Sequence, residues 1–307
     1  MKEGLKMWLS IMAIFLGYAI VFILFEDYDR KVQQAFNEPS DWNLLWFSIV
    51  ILIGLGALLY RYAKRMDERI SRKQVELENE MRRQLTQNIS HELKTPVSSI
   101  LGYMDTILDN PNIPEDTKHH FIVRSKEQAQ RLAALLQDIS LLNRLDYGCN
   151  MITMERVNVS LTVSDLVQEC AMALEQKQMV LKNYLPEDII IHGNSSLIYS
   201  IFRNLIDNSI NYAGTGTTIE IRAEQKAKEW RFTFSDNGVG IPSEHLSRIF
   251  ERFYRVDKGR SRAMGGTGLG LAIVKNAVIL HGGTISVSAP KSGGVCFQFS
   301  LSKNTKQ

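Results

Sequence analysis

His91 lies on a long amphipathic helix, on the side turned away from the apolar stripe. The stripe has helical spacing and consists of Leu85, Ile89, Leu93, Val97, Ile100 and Met104. At about 100° per residue, His91 lies roughly 200° from Ile89 and from Leu93, and Thr95 shares its face one turn on. Glu92 is placed to accept one ring N–H, which leaves the other ring nitrogen free to attack. A lone histidine is more often a plain surface residue, but these neighbours favour an exposed imidazole nucleophile.

Three polar clusters in the C-terminal half have residue types suited to nucleotide binding. Asn204 and Asn208 are four apart on one helix face, and amide oxygens are hard neutral ligands for Mg²⁺. The stretch 236–240, Asp-Asn-Gly-Val-Gly, follows a strand, and its aspartate is an acceptor for an adenine amino group. The stretch 265–271, Gly-Gly-Thr-Gly-Leu-Gly-Leu, opens an apolar helix whose first N–H groups favour phosphate. Each cluster alone is more often a solvated face or a tight turn.

The order of these motifs resembles one known family. Residues 90–96, Ser-His-Glu-Leu-Lys-Thr-Pro, resemble the H-box of bacterial sensor histidine kinases. The clusters in the C-terminal half, with Phe-Glu-Arg-Phe-Tyr-Arg at 250–255, are similar to their N, G1, F and G2 boxes. The resemblance covers about residues 80–302. It implies that His91 is the phospho-acceptor, that Glu92 assists proton transfer, and that Thr95 positions water when the partner is dephosphorylated.

The same resemblance implies a site for ATP and Mg²⁺, with Asn208 as the metal ligand. Asp236 would recognise adenine, Tyr212 would flank the adenine base, and Asn204 would lie beside the phosphates. The full set implied for the nucleotide is Asn204, Asn208, Tyr212, Asp236, Gly238, Gly240, Arg255, Lys258, Arg260, Gly266, Thr267, Gly268, Leu269 and Gly270. The P-loop motif G-x-x-x-x-G-K-[ST] is absent, so the expected lobe is the Bergerat type shared with gyrase and Hsp90 ATPases.

Asn211 departs from this family, whose members usually have Lys or Arg just before the residue equivalent to Tyr212. One phosphate-directed charge is missing, which predicts either lower nucleotide affinity or compensation from the segment between the F and G2 boxes. The basic residues of that segment are Arg255, Lys258, Arg260 and Arg262. For any one of them, phosphate contact and plain surface charge are equally good accounts.

A helical stem and an α/β lobe are expected to position these residues. A helix over 62–84, with Ile70, Gln74, Leu77 and Met81 as a weak coiled-coil seam, leads into an antiparallel hairpin over 85–147. Two such hairpins would form a dimeric four-helix bundle. The short loop between the hairpin helices leaves open whether phosphorylation runs within or between subunits.

The lobe over 151–303 mixes strands and helices, which predicts an α/β sandwich with helices on one face of a sheet. Strands are expected over 151–155, 180–184, 189–191, 218–223, 230–235, 284–288 and 295–301, and helices over 163–176, 195–211 and 270–281. His281 ends the last of these helices before two glycines, which favours a capping role.

Residues 1–61 are expected to anchor the chain in a membrane as two transmembrane helices, 7–25 and 42–60, joined by a short loop, 26–41. Each uncharged stretch would extend about 28 Å, close to a hydrocarbon core of about 30 Å. The first is too long for a signal-peptide core and has no small-x-small cleavage site. The loop is acidic, whereas Lys and Arg flank the outer ends, so both termini are expected in the cytoplasm and the protein in the inner membrane.

Bulk composition limits the function further. A net charge of +3 gives no support for nucleic-acid binding, and three widely spaced cysteines form neither a metal pattern nor a disulfide framework. The sequence therefore predicts a homodimeric protein-histidine kinase, anchored by its two transmembrane helices in membrane lipid, that uses ATP and Mg²⁺ and phosphorylates the receiver domain of a separate response regulator. The alternatives are a membrane-tethered ATPase of the gyrase or Hsp90 kind, which would leave the His91 motif unexplained, and a phosphatase-biased or scaffold homologue.

Overall fold

A computed structural model of the chain describes residues 17–31, 34, 41–147, 152–256, 266–290 and 293–304. The chain divides into two compact units, 1–83 and 84–307. The first unit contains a helix over 17–31 and the N-terminal part of α1 (Asp41–Asp109). No helix in the described part of the chain is apolar over enough residues to cross a membrane. Residues 7–16 of the first expected span lie outside the described residues, and both spans stay predictions.

The second unit begins with the helical hairpin that the sequence predicts, formed by the C-terminal part of α1 and by α2 (Glu115–Tyr147). Helix α1 runs unbroken through Pro96, and α2 starts with two acidic residues at the positive end of its dipole. The rings of Tyr103 and Phe121 stack between the two helices, with centroids 5.3 Å apart. Several apolar side chains of the hairpin are exposed, including Leu101, Leu108, Ile122 and Leu136. The dimer that would cover them stays a prediction.

The hairpin leads into the α/β lobe, which confirms the expected fold. Five strands form one sheet in the order β2-β4-β5-β7-β6, with β2 parallel to β4 and the other pairs antiparallel. They are β2 (Val180–Tyr184), β4 (Thr218–Gln225), β5 (Glu229–Asp236), β6 (Ile285–Ser288) and β7 (Val295–Ser302). A separate antiparallel pair consists of β1 (Glu155–Asn158) and β3 (Ile190–Gly193). The helices are α3 (Val159–Glu169), α4 (Ala171–Gln176), α5 (Ser195–Tyr212) and α6 (Gly270–Leu280).

Two elements differ from the sequence-based expectation by more than two residues at one or both ends. The strand expected over 151–155 begins only at Glu155, because its partner β3 ends at Gly193, directly opposite. The carbonyl of Thr153 instead accepts a hydrogen bond from the side chain of Asn194. The helix expected over 163–176 starts earlier, where the Asn158 side chain caps α3, and it breaks at Cys170 into α3 and α4.

The core of the lobe lies between the sheet and its helices. Alternate residues of β5 point inward, and Phe232 packs against Phe202 of α5 and Phe299 of β7 with ring centroids 5.6 and 5.1 Å away. Burying each such aromatic side chain contributes about 1.5–3 kcal/mol. This core fixes α5 and α6 against the sheet, and these two helices carry the residues expected to bind nucleotide.

His281 directly follows α6 and is fully buried. Its Nδ1 lies 2.7 Å from the carbonyl oxygen of Ala277, and its Nε2 accepts a hydrogen bond from the backbone N–H of Asn194 at 3.0 Å. One nitrogen is therefore the donor and the other the acceptor, so the ring is held neutral. Burial lowers its pKa below the ordinary histidine value. The expected capping role is confirmed, and the ring also ties the end of α6 to Asn194, the residue between β3 and α5.

Candidate active site

His91 is placed on α1 with its side chain 65% exposed, as the helical pattern predicts. Thr95, one turn later, is also exposed, and its hydroxyl donates to the carbonyl of His91 at 3.3 Å. Leu93 and Ile89 of the opposite face are half-buried. The imidazole is thus open to an incoming group from solvent, while the helix beneath it is anchored by apolar contacts.

Glu92 does not turn toward its neighbour in this arrangement. Its Oε1 lies 4.0 Å from His91 Nδ1, longer than a hydrogen bond. Its Oε2 lies 3.0 Å from the guanidinium of Arg255 in the lobe and 3.9 Å from that of Arg131 on α2. The carboxylate next to the acceptor histidine is therefore held through Oε2 by cations from two other elements, while its Oε1 faces His91 and needs to come about 1 Å closer to accept a ring N–H.

Arg255 links this carboxylate to the glycine-rich stretch. Its side chain is only 6% exposed, and the same guanidinium also donates to the carbonyl of Gly266. An expected phosphate contact is thus found bridging the stem and the loop. A second bridge lies beside it, where Arg252 donates to Asp146 of α2 at 2.7 Å.

The rest of the glycine-rich stretch also faces the stem. Thr267 donates its hydroxyl to Asp138 of α2 at 3.0 Å, and burial raises the pKa of Asp138 although this hydrogen bond opposes the shift. Leu269, expected in the nucleotide site, is fully buried, and it clusters with Leu135, Leu142, Ala272 and Ile273. The lobe is therefore docked on the hairpin of its own chain through one polar and one apolar contact area.

Asp236 is a buried carboxylate at the end of β5. It is 7% exposed, its Oδ2 accepts from the Ser209 hydroxyl at 2.7 Å, and its Oδ1 accepts from the N–H of Gly238 at 3.0 Å. Gly238 has no room for a side chain, because a Cβ there would lie 2.3 Å from the carbonyl oxygen of Ala213. Each carboxylate oxygen keeps a lone pair for a ligand donor. Ser209 is a site residue that sequence reasoning missed, although it directly follows Asn208.

Asn208 and Asn204 lie on α5, the helix whose Ser209 contacts Asp236, and their amides have different surroundings. Asn204 donates to the carbonyl of Ser200 at 2.8 Å, and its Oδ1 lies so close to Gly270 that a Cβ there would come within 2.4 Å. The side-chain nitrogen of Asn208 is buried and has no hydrogen-bond partner among the described residues. A buried amide without a partner is unfavourable unless a ligand completes it.

These residues fit a magnesium nucleotide. Turning the Asn208 amide by half a turn exchanges its nitrogen and oxygen and presents a neutral oxygen ligand. In the described part of the chain no three His, Cys, Asp or Glu side chains are grouped to hold a metal. A single amide oxygen suits Mg²⁺, which takes its other ligands from water and phosphate. The first turn of α6, beside Asn204, supplies backbone N–H groups for phosphate.

The remaining expected site residues are placed as follows. Tyr212 ends α5 and is half-buried, as is its neighbour Asn211. Gly240 and Gly268 have φ values of +78° and +73°, which glycine tolerates best. Lys258 and Arg260 lie in 257–265, outside the described residues.

Two family models match the chain in the same two regions. The His Kinase A (phospho-acceptor) domain matches residues 81–148, and the histidine kinase-, DNA gyrase B- and HSP90-like ATPase matches residues 193–305. Together they span more than half of the chain and contain the His91 motif and the Asn208–Asp236 pocket. The chain belongs to the sensor histidine kinases.

Curated relatives are similar to this chain over about three-quarters of its length. The sensor-like histidine kinase SenX3 of Mycolicibacterium smegmatis is 34% identical over 220 residues, which is 72% of this chain and 57% of SenX3. The phosphate regulon sensor protein PhoR of Haemophilus influenzae is 33% identical over 232 residues, 74% of this chain and 54% of PhoR. The chain thus spans little more than half the length of these relatives.

Solved structures share the fold of this chain. Histidine kinase AdeS of Acinetobacter baumannii has a TM-score of 0.56 at 24% identity, covering 69% of this chain and 98% of that one. Histidine kinase ThkA, crystallised with response regulator protein TrrA, has a TM-score of 0.57 at 22% identity, covering 72% and 61%. The arrangement of helical hairpin and α/β lobe is therefore shared with both.

Proposed function

We propose that this chain transfers the γ-phosphoryl group of ATP to His91, of the same subunit or of the partner subunit in a homodimer, and then passes it to an aspartate of a separate response regulator. The observation that carries the proposal is the bridge made by Arg255. One guanidinium contacts both the glycine-rich stretch at Gly266 and Glu92, the direct neighbour of His91. The loop suited to phosphate and the acceptor histidine thus meet at a single side chain.

The residues of the pocket have separate tasks in this reaction. Asp236 accepts the adenine amino group, and Asn204 with the first turn of α6 lies where phosphates are held. Asn208 would hold Mg²⁺, which when bound neutralises phosphate charge. The bond from a His91 ring nitrogen to phosphorus forms as the bond between phosphorus and the ADP oxygen breaks. Catalysis of this step is mainly positioning and charge neutralisation.

The proton on the His91 ring needs an acceptor as the nitrogen–phosphorus bond forms. Glu92 is the adjacent carboxylate, and its Oε1 accepts the proton after a small side-chain movement, while its Oε2 keeps the contact with Arg255 that holds the lobe on the stem. The phosphohistidine then yields its phosphoryl group to an aspartate carboxylate, which restores the neutral imidazole. Thr95, on the same exposed face, would orient water for the reverse task of dephosphorylating the regulator.

The proposal extends to the assembly and its location. Exposed apolar side chains on the hairpin, such as Leu101 and Ile122, support a homodimer in which two hairpins form a four-helix bundle. The uncharged stretches 7–25 and 42–60, with basic flanks, support a two-span anchor in the inner membrane with both termini in the cytoplasm. The stem and lobe then face the compartment that supplies ATP.

Labelling of the purified full-length chain with γ-labelled ATP and Mg²⁺ tests the proposal. Wild type should acquire acid-labile label that transfers to a receiver domain, whereas His91→Gln should acquire none. Asn208→Asp serves as a matched variant with the acceptor intact and the pocket altered. Release of free phosphate without label on the protein would instead identify an ATPase and refute the kinase.

A further inference from the structure

The backbone just before Arg255 has a conformation that its own residues do not favour. Phe253 has φ of +62°, in the left-handed region, which costs about 1–3 kcal/mol for a residue with a side chain. Its N–H donates to the carbonyl of Gly268 at 2.8 Å. A Cβ at Gly268 would lie 3.0 Å from the Cα of Phe253, so the two segments cross in close contact. Such a bend persists only when neighbouring groups hold it.

Tyr254, the next residue, is held by side chains from outside the nucleotide pocket. Its hydroxyl lies 2.7 Å from Nδ1 of His245, on the 3-10 turn Ser243–His245. The guanidinium of Arg248 covers its ring, 4.4 Å from the centroid, and is itself held by Glu251 at 3.1 Å. The tyrosine ring is therefore fixed along one face by a cation and at its tip by an imidazole.

Arg255 directly follows Tyr254 in the chain. A long arginine side chain has many rotamers, and its reach to a defined carboxylate depends on where its Cα is placed. The Cα of Arg255 is set by the peptide it shares with Tyr254. A shift of about 1 Å there suffices to break the 3.0 Å contact with Glu92, because a hydrogen bond tolerates only a few tenths of an ångström.

We propose that His245 is a positioning residue for phosphorylation of His91. Through the hydroxyl of Tyr254 it holds the bend at Phe253, and this bend directs Arg255 toward Glu92. The inference rests on the proposed function, because the step it serves is phosphoryl transfer to His91. His245 shows no metal-ligand spacing in the sequence; its Nδ1 contacts Tyr254, and its Nε2 lies 3.4 Å from the exposed carboxylate of Glu244.

Removal of either partner of the His245–Tyr254 pair tests the proposal in the full-length chain. Initial rates of His91 labelling are measured over a range of ATP concentrations for His245→Leu, Tyr254→Phe and the double variant. Each single change should lower the maximal rate about three- to tenfold, the effect of one neutral hydrogen bond. The KM for ATP should change less than twofold, and the double variant should be no slower than the slower single variant.

Two further variants separate positioning from general damage. His245→Asn keeps a polar atom at the position of Nδ1, and its maximal rate should stay within twofold of wild type. Tyr199→Phe is the matched control, because it removes an equivalent hydroxyl, which donates to Glu169 at 2.6 Å elsewhere on the lobe. Four outcomes would each overturn the proposal. They are a double variant whose loss is the product of the two single losses, a change in the KM for ATP without a change in maximal rate, an inactive His245→Asn, and an equal loss of rate in Tyr199→Phe.

Hydrogen exchange gives a readout that does not depend on activity. The Phe253 amide, protected by Gly268, should exchange about five- to tenfold faster in His245→Leu and in Tyr254→Phe and unchanged in Tyr199→Phe. Unchanged exchange in the first two variants refutes the role of His245 whatever the kinase assay shows. If the wild-type chain takes up no label, the proposed kinase function is refuted. Faster exchange of the Phe253 amide in the variants would still show that His245 and Tyr254 hold the backbone bend at Phe253.

Discussion

Replacing Asn208 by leucine should stabilise the nucleotide-free lobe while abolishing nucleotide binding. The Asn208 side-chain nitrogen is buried without a partner among the described residues. Such a group costs about 1–3 kcal/mol, and leucine has a similar shape without polar atoms to desolvate. Leucine also has the higher helix propensity, by a few tenths of a kcal/mol. We expect a net gain of about 1–2 kcal/mol, which raises Tm by about 2–8 °C for a lobe of this size.

Thermal unfolding monitored by Trp230 measures both effects. Trp230 is 8% exposed, and replacing the other three tryptophans, Trp8, Trp42 and Trp46, by Phe makes it the sole reporter. Mg-ATP at about 100 times its Kd should stabilise the Asn208 chain by about 2.7 kcal/mol and the Asn208→Leu chain not at all. Asn204→Leu is the matched control, because the Asn204 amide already donates to Ser200 and its loss should bring no gain.

The outcome that refutes this reasoning is a lower Tm for nucleotide-free Asn208→Leu. It would mean that the Asn208 amide is fully hydrogen-bonded, by water, before nucleotide arrives. Equal shifts in Asn208→Leu and Asn204→Leu would likewise contradict the difference between the two amides. A Mg-ATP shift that survives Asn208→Leu would remove Asn208 from the metal site.

Three other predictions concern charge. Acidification from pH 7.5 to 5.5 should destabilise the lobe. Burial lowers the pKa of His281 in the folded state, so below about pH 6.5 the unfolded chain binds a proton at this residue that the folded chain does not, and the unfolded state is favoured. Urea unfolding should show a loss of up to about 1.4 kcal/mol per pH unit, and His281→Asn should flatten it. Asn211→Lys should tighten Mg-ATP binding about three- to tenfold in a fluorescence titration, and Asn211→Gln should not. Arg255→Gln should lower the maximal rate of His91 labelling about tenfold and leave the KM for ATP nearly unchanged. A higher KM would instead indicate that Arg255 binds phosphate. Arg252→Gln, which removes the contact with Asp146, is the control.

Local patterns predicted most of the helices and strands and singled out Asn204, Asn208 and Asp236 as candidate site residues. The exposure of His91 follows from helical periodicity alone, and β2 and the start of β7 were predicted at their observed residues, because alternation and turn residues are local signals. The start of α3 was missed because its capping residue, Asn158, also ends a strand.

Contacts between the stem and the lobe were beyond the sequence. Arg255 and Glu92 are 163 residues apart, and Thr267 and Asp138 are 129 apart, so their pairing depends on how two folded parts dock. Leu269 illustrates the limit, because a glycine-rich motif does not distinguish an apolar residue that faces a ligand from one that packs on a neighbouring helix.

The buried carboxylate of Asp236 has a consequence for the choice between purines. A carboxylate is only an acceptor, and its two oxygens already receive Ser209 and Gly238, so a further partner must bring a donor. The exocyclic amino group of adenine meets this need, while the keto oxygen that guanine has at the same ring position would place an acceptor against the acceptor oxygens of a buried carboxylate. Discrimination against guanosine nucleotides therefore follows from this one carboxylate, independently of any contact with the sugar or the phosphates.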